Sequence, residues 1–293
     1  MDIISIFVPV NQRTTLMKKP ILFLTALCSL LTACEDVEKK ANEKLQLARQ
    51  AYEAKQYNEA KTQIDSIKIL YPKAFDARRA GLYLMQDIEL AEQQQTLTYL
   101  DSLLQIHQTE LENLKNHFVL EKDTAYQQIG HYLAPAQVIE KNLHRSYLRF
   151  QTDETGIMSL TSIYCGKSNI HHTAVKVTAP DGTFAQTPAS KDSYETSDLG
   201  EQIEKADYKL GEDGGVILFI SQHKDQNLHV TYTGDRTYGT TLSRADRQAA
   251  ADVYQLSQLL TSITQLKKNK EEAQRKIRFV QENIKKRKTV EEE

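Results

Sequence analysis

Two long segments of the chain place apolar residues at coiled-coil spacing and lack helix breakers. From Asp76 to about Glu121 there is no Pro and one Gly, and apolar residues at seam spacing, with Gln93 and His107 in the gaps, are Leu90, Leu97, Leu100, Leu104, Leu111, Leu114 and Phe118. From Ser243 to about Lys288 there is neither Pro nor Gly, and apolar residues close to this spacing are Val253, Leu256, Leu260, Ile263, Leu266, Ala273, Ile277, Val280 and Ile284. Each pattern predicts a long helix with one narrow apolar seam.

The charges of these two segments indicate that the helices pair with each other. Residues 76–123 contain nine acidic and four basic residues, whereas residues 243–288 contain five acidic and twelve basic residues. Opposite charges favour this pairing over self-pairing of either helix. Because the chain between them must leave and return at the same end, we predict a long antiparallel coiled coil that forms a stalk. Its first helix lies within residues 75–122, and the second, with a charged tail, within residues 243–293.

Between the two helices the pattern changes to short alternating runs that are rich in β-branched and aromatic residues. Turn signals such as Pro180-Asp181-Gly182 and Asp213-Gly214-Gly215 separate these runs. The predicted strands are residues 145–151, 157–165, 171–179, 203–210, 215–222, 227–233 and 237–242. We therefore expect residues 123–242 to form an inserted antiparallel β sandwich or small barrel, preceded by a neck around Gly130 and Pro135. The fold class is α+β.

A short apolar run lies near the start of the chain. Residues 21–31 are apolar except for Thr25 and Ser29, and they follow Lys18 and Lys19. This run is too short to cross a bilayer, which takes about 20 apolar residues, and its flanks predict a cleaved signal peptide. Residues 1–16 would bury the charged flank inside the chain, so we predict that translation starts at Met17.

The end of the apolar run, Leu31-Thr32-Ala33-Cys34, resembles the lipobox of bacterial lipoprotein precursors. The resemblance implies that residues 1–33 are removed by cleavage between Ala33 and Cys34, and that Cys34 carries fatty acyl chains such as palmitate. Two or more chains would hold the protein on a membrane. We expect a lipid-anchored envelope protein of the outer membrane, with the periplasmic face and the cell surface both open. An ordinary secretory peptide with a chance cysteine is the alternative.

Residues 34–74 are predicted to hold the lipid site, an acidic linker over residues 35–38 and a helical hairpin. Over residues 41–74 the hairpin resembles one tetratricopeptide repeat, and the matching positions are Leu47, Ala48, Tyr57, Ala60, Ile64 and Pro72. The resemblance implies a surface that holds partner peptides. Gln94 stands where a second repeat needs a small residue, so no array is predicted. A hairpin that packs on the next helix is the alternative.

Composition narrows the function classes. The formal net charge of −2 does not suit a nucleic-acid binder, which would be basic. Of the three cysteines, Cys28 is lost with the signal peptide and Cys34 takes lipid, so Cys165 has no partner for a disulfide. Because Cys165 lies in an apolar alternating run, we expect a buried, inert thiol.

Candidate chemistry in the inserted domain is sparse. Gly166-Lys167-Ser168 is similar to the end of a phosphate-binding loop, but the upstream glycine is absent and a strand is predicted to follow. His171 and His172 are expected on opposite faces of a strand. His223 and His229 flank a turn without a third metal ligand of fixed spacing. Neither a metal nor another cofactor is expected. Three tyrosines are expected to be exposed and to form a contact face: Tyr194, Tyr232 and Tyr238.

These observations favour a binding or scaffold protein over an enzyme. The predicted protein is an envelope lipoprotein that presents a β-rich recognition domain on a coiled-coil stalk. Its partners would be the membrane, through the lipid, and either another protein or an envelope glycan. The alternative is a hydrolase of envelope glycans or peptides, whose site would be a deep pocket in the inserted domain lined by two carboxylates or by a nucleophile and a base.

Overall fold

The computed structural model describes the backbone of residues 19–292 and the side chains of residues 36–289. The predicted start at Met17, the cleavage position at Ala33 and the lipid site at Cys34 lie outside the described side chains. Within the described range the protein is mixed α+β, and its helices are α1 (Lys19–Glu53), α2 (Tyr57–Leu70), α3 (Phe75–Lys115), α4 (Val216–Gln222) and α5 (Arg244–Glu292). No helix in this part of the chain combines the length and the apolar composition needed to cross a bilayer.

The strands form two antiparallel sheets. Their bounds are β1 (Val119–Glu121), β2 (His131–Leu133), β3 (Tyr147–Asp153), β4 (Met158–Gly166), β5 (Ala174–Thr178), β6 (Phe184–Gln186), β7 (Ser193–Asp198), β8 (Glu201–Lys209), β9 (His229–Thr233) and β10 (Thr237–Thr241). The six-stranded sheet has the order β1-β2-β3-β4-β8-β7, and the four-stranded sheet has the order β10-β9-β5-β6. Both sheets are open, so the predicted small barrel is wrong for the described strands.

The chain divides into two compact units, one formed by residues up to Gln95 together with those from Gln274, and the other by Thr96–Ala273. In the first unit, α1, α2 and the start of α3 share an apolar core. Small residues line the helix contacts: Ala48 and Ala60 are fully buried, and a Cβ at Gly81 would lie 3.2 Å from Cγ2 of Ile64. Glycine at this position therefore lets α3 approach α2 closely.

The predicted acidic linker is helical instead. Residues 35–38 belong to α1, where Lys40 pairs with Asp36 at 2.8 Å. Oε1 of Glu38 accepts a hydrogen bond of 2.9 Å from the backbone N–H of Ala77, in the first turn of α3. A carboxylate is favourable there because the first N–H groups of a helix have no partner within the helix. Residues 35–38 are thus part of α1, and Glu38 caps α3, so the segment is not a separate linker.

The hairpin that resembles a tetratricopeptide repeat is present as α1 and α2. Ala48, Ala60 and Ile64 are buried at its centre, as the resemblance implies, whereas Leu47 is 47% exposed and lies outside the core. In the same unit, Arg287 of α5 donates to Asp87 at 3.0 Å and stacks over the ring of Tyr83. These contacts attach the end of α5 to the beginning of α3.

The second unit has a core to which both sheets contribute. Phe150 and Leu160 come from the six-stranded sheet, Val177 and Val230 come from the four-stranded sheet, and α4, α5 and neighbouring loops add further apolar side chains. A separate cluster joins α3 to α5, and its buried members are Leu100, Leu104, Leu259, Ile263, Leu266 and Ala273. Lys270 pairs with Asp101 at 2.5 Å beside this cluster.

The predicted start of the second long helix is confirmed. Oγ of Ser243 accepts a hydrogen bond of 3.1 Å from the N–H of Asp246, and α5 begins at Arg244. The first long helix ends earlier than expected, at Lys115, because residues 119–121 form β1 and pair with β2.

The predicted strand over residues 215–222 is wrong, since these residues form α4. Val216, Ile217 and Ile220 are all buried, and positions three and four residues apart lie on the same side of a helix. The buried carboxylate of Asp213 accepts a hydrogen bond of 2.7 Å from the N–H of Ile217 and stabilises the first turn. A short apolar run fits a buried strand and a buried helix equally well by periodicity, and this cap decides for the helix.

Candidate functional site

The six-stranded sheet has two faces of different character, because successive side chains along a strand point to opposite sides. The inner face packs into the core through residues such as Leu148, Phe150 and Ala206. The outer face carries residues of the other parity. One row across it joins Gln151 to Ser159 and Ser159 to Lys209. We call this side of β3, β4, β8 and β7 the outer face.

A polar groove of about 800 Å³ lies at one end of the outer face. It is lined by Gln151, Ser159, Pro188, Ala189, Ser190, Lys191, Asp192, Asp207, Tyr208, Lys209 and Glu212. Its volume falls within the range of roughly 300–1,000 Å³ that is usual for ligand sites. The loop on its rim is held by Ser190, whose hydroxyl donates to the backbone carbonyl of Asp207 at 2.9 Å.

The chemistry of the polar groove suits a polar ligand. Three carboxylates, from Asp192, Asp207 and Glu212, line it together with the ammonium groups of Lys191 and Lys209. The hydroxyl of Thr161 donates to Asp207 across the sheet. Carboxylates accept hydrogen bonds and lysines donate them, so the groove offers both kinds of partner to hydroxyl or amide groups.

A second recess, the apolar cleft, adjoins the polar groove on the same face. Its volume is about 130 Å³, and its lining includes Tyr147, Ile163 and Ile203 together with the cations of Arg145 and Lys205. The buried carboxylate of Asp246 binds Arg145 at 2.8 Å. Burial alone would lower the pKa of Arg145, but the hydrogen bond and the charge of Asp246 outweigh it and raise that pKa. The cleft therefore combines an apolar floor with a positively charged rim.

Cys165 lies in the apolar cleft and is half-buried. Burial, followed by a hydrogen bond with Glu201, raises the pKa of its thiol to about 11. A thiol with so high a pKa carries little thiolate at neutral pH, and the thiolate is the nucleophilic form. The thiol is half-buried and not buried as the sequence predicts, and its raised pKa favours the unreactive protonated form.

Three polar side chains on the inner face, those of Ser162, His172 and Glu204, are linked by hydrogen bonds. We call them the buried relay. The hydroxyl of Ser162 lies 2.8 Å from Nε2 of His172, and Nδ1 of His172 lies 3.0 Å from Oε2 of Glu204. With its proton on Nδ1, His172 donates to the carboxylate and leaves Nε2 to accept from the serine. This order of nucleophile, base and acid matches the pattern used in serine hydrolases.

Glu204 is held by a concave turn of backbone. Its carboxylate accepts from the backbone N–H groups of Ile170, His171 and His172 at 2.6, 2.9 and 2.8 Å. His171 has a φ of +52°, and such a left-handed residue lets successive N–H groups converge on one anion. Burial alone would raise the pKa of Glu204, but the hydrogen bonds from His172, His171 and Ile170 together outweigh it and lower that pKa.

The buried relay is closed to substrates. Ser162 is 0% exposed, His172 is 2% exposed and Glu204 is 1% exposed. The ring of Tyr232 covers His172 edge-on, with 5.3 Å between the ring centroids. A carbonyl carbon therefore has no route to the Ser162 hydroxyl in this conformation, and the relay serves to fix the loop before β5.

No family model, curated protein or solved structure matches this chain.

One group of potential metal ligands occurs among the described residues, namely His171, Glu195 and Glu204. Glu204 already accepts four hydrogen bonds, three from backbone N–H groups and one from His172. A carboxylate has about four lone-pair sites, so Glu204 has none left for a cation. His171 and Glu195, which bind each other at 2.8 Å, would then be the only two ligands.

The structure separates the histidines that the sequence singles out. His171 and His172 precede β5 and do not lie on a strand as predicted, because the turn around Glu204 delays the start of β5 to Ala174. His171 is exposed and His172 is buried. His223 ends α4 and stacks on Phe219, whereas His229 begins β9, and neither belongs to a metal-ligand group.

Of the three tyrosines predicted to be exposed, Tyr194 is 60% exposed on the outer face and Tyr238 is 38% exposed. Tyr232 is fully buried, so that prediction is wrong. Its side chain shares the inward parity of Val230 on β9, and it contacts Tyr164 and Tyr238. After Gly166 the chain continues as a loop, without the helix that a phosphate-binding loop needs.

Local sequence patterns do not indicate the polar groove or the buried relay. Gln151, Ser159 and Lys209 are more than 50 residues apart at the extremes, and only the register of β3, β4 and β8 brings them together. One signal was present: in β4, Ser162 occupies an inward position between Leu160 and Tyr164. A polar residue at an inward position of a strand needs a partner, which predicts a buried network.

Proposed function

We propose that this protein is a lipid-anchored envelope protein that binds its partner through the outer face of the six-stranded sheet. The anchor is acylated Cys34, and the membrane is the outer membrane, on either its periplasmic or its outward side. The observation that carries the binding role is that the outer face holds two adjoining recesses, whereas the nucleophile-like Ser162 is sealed in the core. We therefore favour recognition over catalysis.

The recesses suggest the chemistry of the partner. The polar groove offers carboxylates and lysines to hydroxyl or amide groups, and the apolar cleft beside it offers an apolar floor with cations. The exposed Tyr194 extends this surface along β7. Either an envelope glycan or a segment of another protein meets these requirements, and the chain has no tryptophan to serve as the usual platform for a sugar ring.

The proposal includes a β sandwich and a coiled-coil stalk. The common core of the two sheets supports the sandwich. The cluster that contains Leu104 and Ile263, with the ion pair between Asp101 and Lys270, supports antiparallel pairing of α3 with α5. Cysteines placed at Leu104 and Ile263 in a Cys165→Ser chain should crosslink, whereas the exposed Ile106 paired with the same position should not. Equal crosslinking of both pairs would contradict the stalk.

The anchor is tested with the Cys34→Ser precursor. We expect the wild type to fractionate with membranes and to gain the mass of acyl chains, and the variant to lose that mass and remain unprocessed. Normal processing of the variant, or membrane fractionation of a wild type without added mass, would contradict the anchor.

The binding face is tested by a photo-crosslinking residue placed at single positions of the full chain in cells. Ser159 in the polar groove is the test position, and the exposed Thr237 on β10 of the other sheet is the control. We expect Ser159 to give a discrete adduct with a glycan or a protein, and Lys209→Glu to reduce it. An adduct from Thr237 alone, or no effect of Lys209→Glu, would contradict the outer-face proposal.

A second candidate function rests on the three carboxylates of the polar groove. Glycoside hydrolysis uses two carboxylates on either side of the bond that breaks. Purified protein would be incubated with envelope glycan fragments, and the products compared with those of Asp207→Asn and Glu212→Gln. Release of new reducing ends that either variant abolishes would establish the hydrolase, and binding without cleavage would establish the leading proposal.

A further inference from the structure

The corner between α2 and α3 lies close to the lipid site along the chain. The hydrogen bond from the N–H of Ala77 to Glu38 places the start of α3 beside residue 38 of α1. Cys34 precedes Glu38 by four residues within the same helix, which amounts to about 6 Å of helix rise. The start of α3 is therefore held about one turn of α1 from the residue that would carry the acyl chains.

This corner exposes large apolar side chains. Ile69 is 74% exposed, Leu70 is 61% exposed and Phe75 is 69% exposed. Three such residues within seven positions form a patch, and contiguous exposed apolar patches mark interaction surfaces. A groove of about 570 Å³ between α2 and α3 continues the patch through Phe75 and Leu82.

The same corner is basic. Residues 68–79 contain Lys68, Lys73, Arg78 and Arg79 but only one acid, Asp76. Asp76 faces Arg79 at 3.5 Å, whereas Lys68 and Lys73 have no ion-pair partner within the described part of the chain. On α1, Asp36 is paired with Lys40 and Glu38 is occupied by the N–H of Ala77, so neither neutralises these lysines.

We propose that this corner, formed by Lys68, Ile69, Leu70, Lys73 and Phe75, rests on the surface of an anionic phospholipid bilayer. The apolar side chains enter the headgroup region, and the lysines bind lipid phosphates. Apolar residues with neighbouring cations are the composition of interfacial membrane-binding segments. Glu38, which binds the start of α3, is only about 6 Å of helix rise from the anchor, and this is less than one Debye length, over which attraction to anionic lipids persists. This inference rests on the proposed lipid anchor.

The absence of tryptophan from the chain makes a site-specific test possible. Phe75→Trp places the only indole of the protein in the corner. Leu47→Trp is the matched control, since Leu47 is an exposed apolar residue of α1 in the same unit, 13 residues from Cys34 and about 20 Å further along the helix. Each full-length variant is purified from host membranes, its acylation is determined by mass spectrometry, and it is reconstituted into phosphatidylcholine vesicles with or without phosphatidylglycerol.

We expect the emission of the tryptophan at position 75 to shift to shorter wavelength in phosphatidylglycerol vesicles and to be quenched by brominated acyl chains. The control should show neither effect. Lys68→Glu with Lys73→Glu should abolish the preference for anionic vesicles, since each lysine near such a surface strengthens binding about fivefold. A blue shift that is already present in detergent and grows with protein concentration would assign the corner to a second copy of the chain and overturn the proposal.

The experiment gives different results if the corner proposal is wrong and if the anchor proposal is wrong. If acylated protein floats with vesicles while the tryptophan at position 75 stays exposed to water, the anchor stands and the corner proposal is wrong. If the protein carries no acyl chains, the anchor is wrong, and the same vesicles added to that protein still test the corner. Quenching only in phosphatidylglycerol vesicles would then support the corner independently.

Discussion

The inner and outer faces of the six-stranded sheet use their polar side chains in different ways. On the inner face, Ser162 and Glu204 are buried and each has hydrogen-bond partners. On the outer face, Ser159 and Lys209 line an open groove and have no side-chain hydrogen-bond partner within the described part of the chain. The buried Ser162 and Glu204 are thus committed to holding the fold, whereas Ser159 and Lys209 remain available to a ligand.

The largest loss of folding stability is expected for a substitution at Glu204, and this substitution tests the role of the inner face. Glu204→Gln removes the charge and presents an amide NH₂ group to backbone donors that need an acceptor. We expect the free energy of unfolding to fall by roughly 3–5 kcal/mol, as for a broken buried charged network. Urea titration followed by circular dichroism measures it.

The control lies directly opposite on the neighbouring strand. Glu195 pairs in register with Glu204, points to the same side of the sheet and binds His171, but both partners are exposed. Exposed ion pairs contribute little, so Glu195→Gln should cost less than about 1 kcal/mol. Equal losses in the two variants would mean that the buried relay is not what holds the loop.

The pH dependence of stability sharpens the same comparison. Because the pKa of Glu204 is lower in the folded protein than its ordinary value of 4.5, the contribution of its carboxylate is fully present above that value. It is lost as the pH falls through the folded pKa. The stability advantage of the wild type over Glu204→Gln should therefore be constant from pH 5 to neutrality and shrink below pH 4.5. An advantage that grows on acidification would contradict the assigned hydrogen bonds.

A smaller effect separates two serines of β4. Ser162→Ala leaves Nε2 of the buried His172 without its partner, which should cost about 1–2 kcal/mol. Ser159→Ala, on the outer face of the same strand, should change the free energy of unfolding by less than about 0.5 kcal/mol. The expected difference reverses in binding: with the photo-crosslinking residue moved to Gln151 in the same groove, a bulky Ser159→Trp should reduce the adduct and Ser162→Ala should not.

Local sequence signals predicted the parts of the fold that depend on neighbouring residues. The predicted start of α5 at Ser243 depends on such a local signal, because a hydroxyl residue caps a helix through the N–H three positions on, here that of Asp246. The strands β3, β4, β8 and β9 followed from alternation. By contrast, β7 has almost no buried residues and offers no apolar alternation, so its position on the sheet edge was not predictable from its own sequence.

The candidate site depends on contacts between residues that are far apart in the sequence, and local sequence patterns do not predict such contacts. The relay joins positions 162, 172 and 204 through strand register and one left-handed turn at His171. The run from Val216 to Ile220 illustrates the same limit at short range, since its apolar pattern fits both a strand and a helix and the distinction rests on the carboxylate of Asp213. Tyr232 differs from these cases, because its alternation with Leu228 and Val230 is readable in the sequence and already indicates an inward side chain.

The smallest expected effect distinguishes two tyrosines that point into the same core from opposite sheets. The hydroxyl of Tyr208, on the six-stranded sheet, donates to the carbonyl of Thr173 at 2.7 Å, whereas the buried hydroxyl of Tyr232, on the four-stranded sheet, has no partner among the described residues. Tyr208→Phe should therefore cost about 1 kcal/mol, because it removes a hydrogen bond, while the carbonyl of Thr173 keeps the bond of 2.7 Å that it accepts from the N–H of Ser190. Tyr232→Phe removes an unsatisfied group and should be neutral or stabilising by up to about 1 kcal/mol. Thermal and urea unfolding of both variants measure the difference. If Tyr232→Phe lowered the free energy of unfolding as much as Tyr208→Phe, the hydroxyl of Tyr232 would need a hydrogen-bond partner in the core.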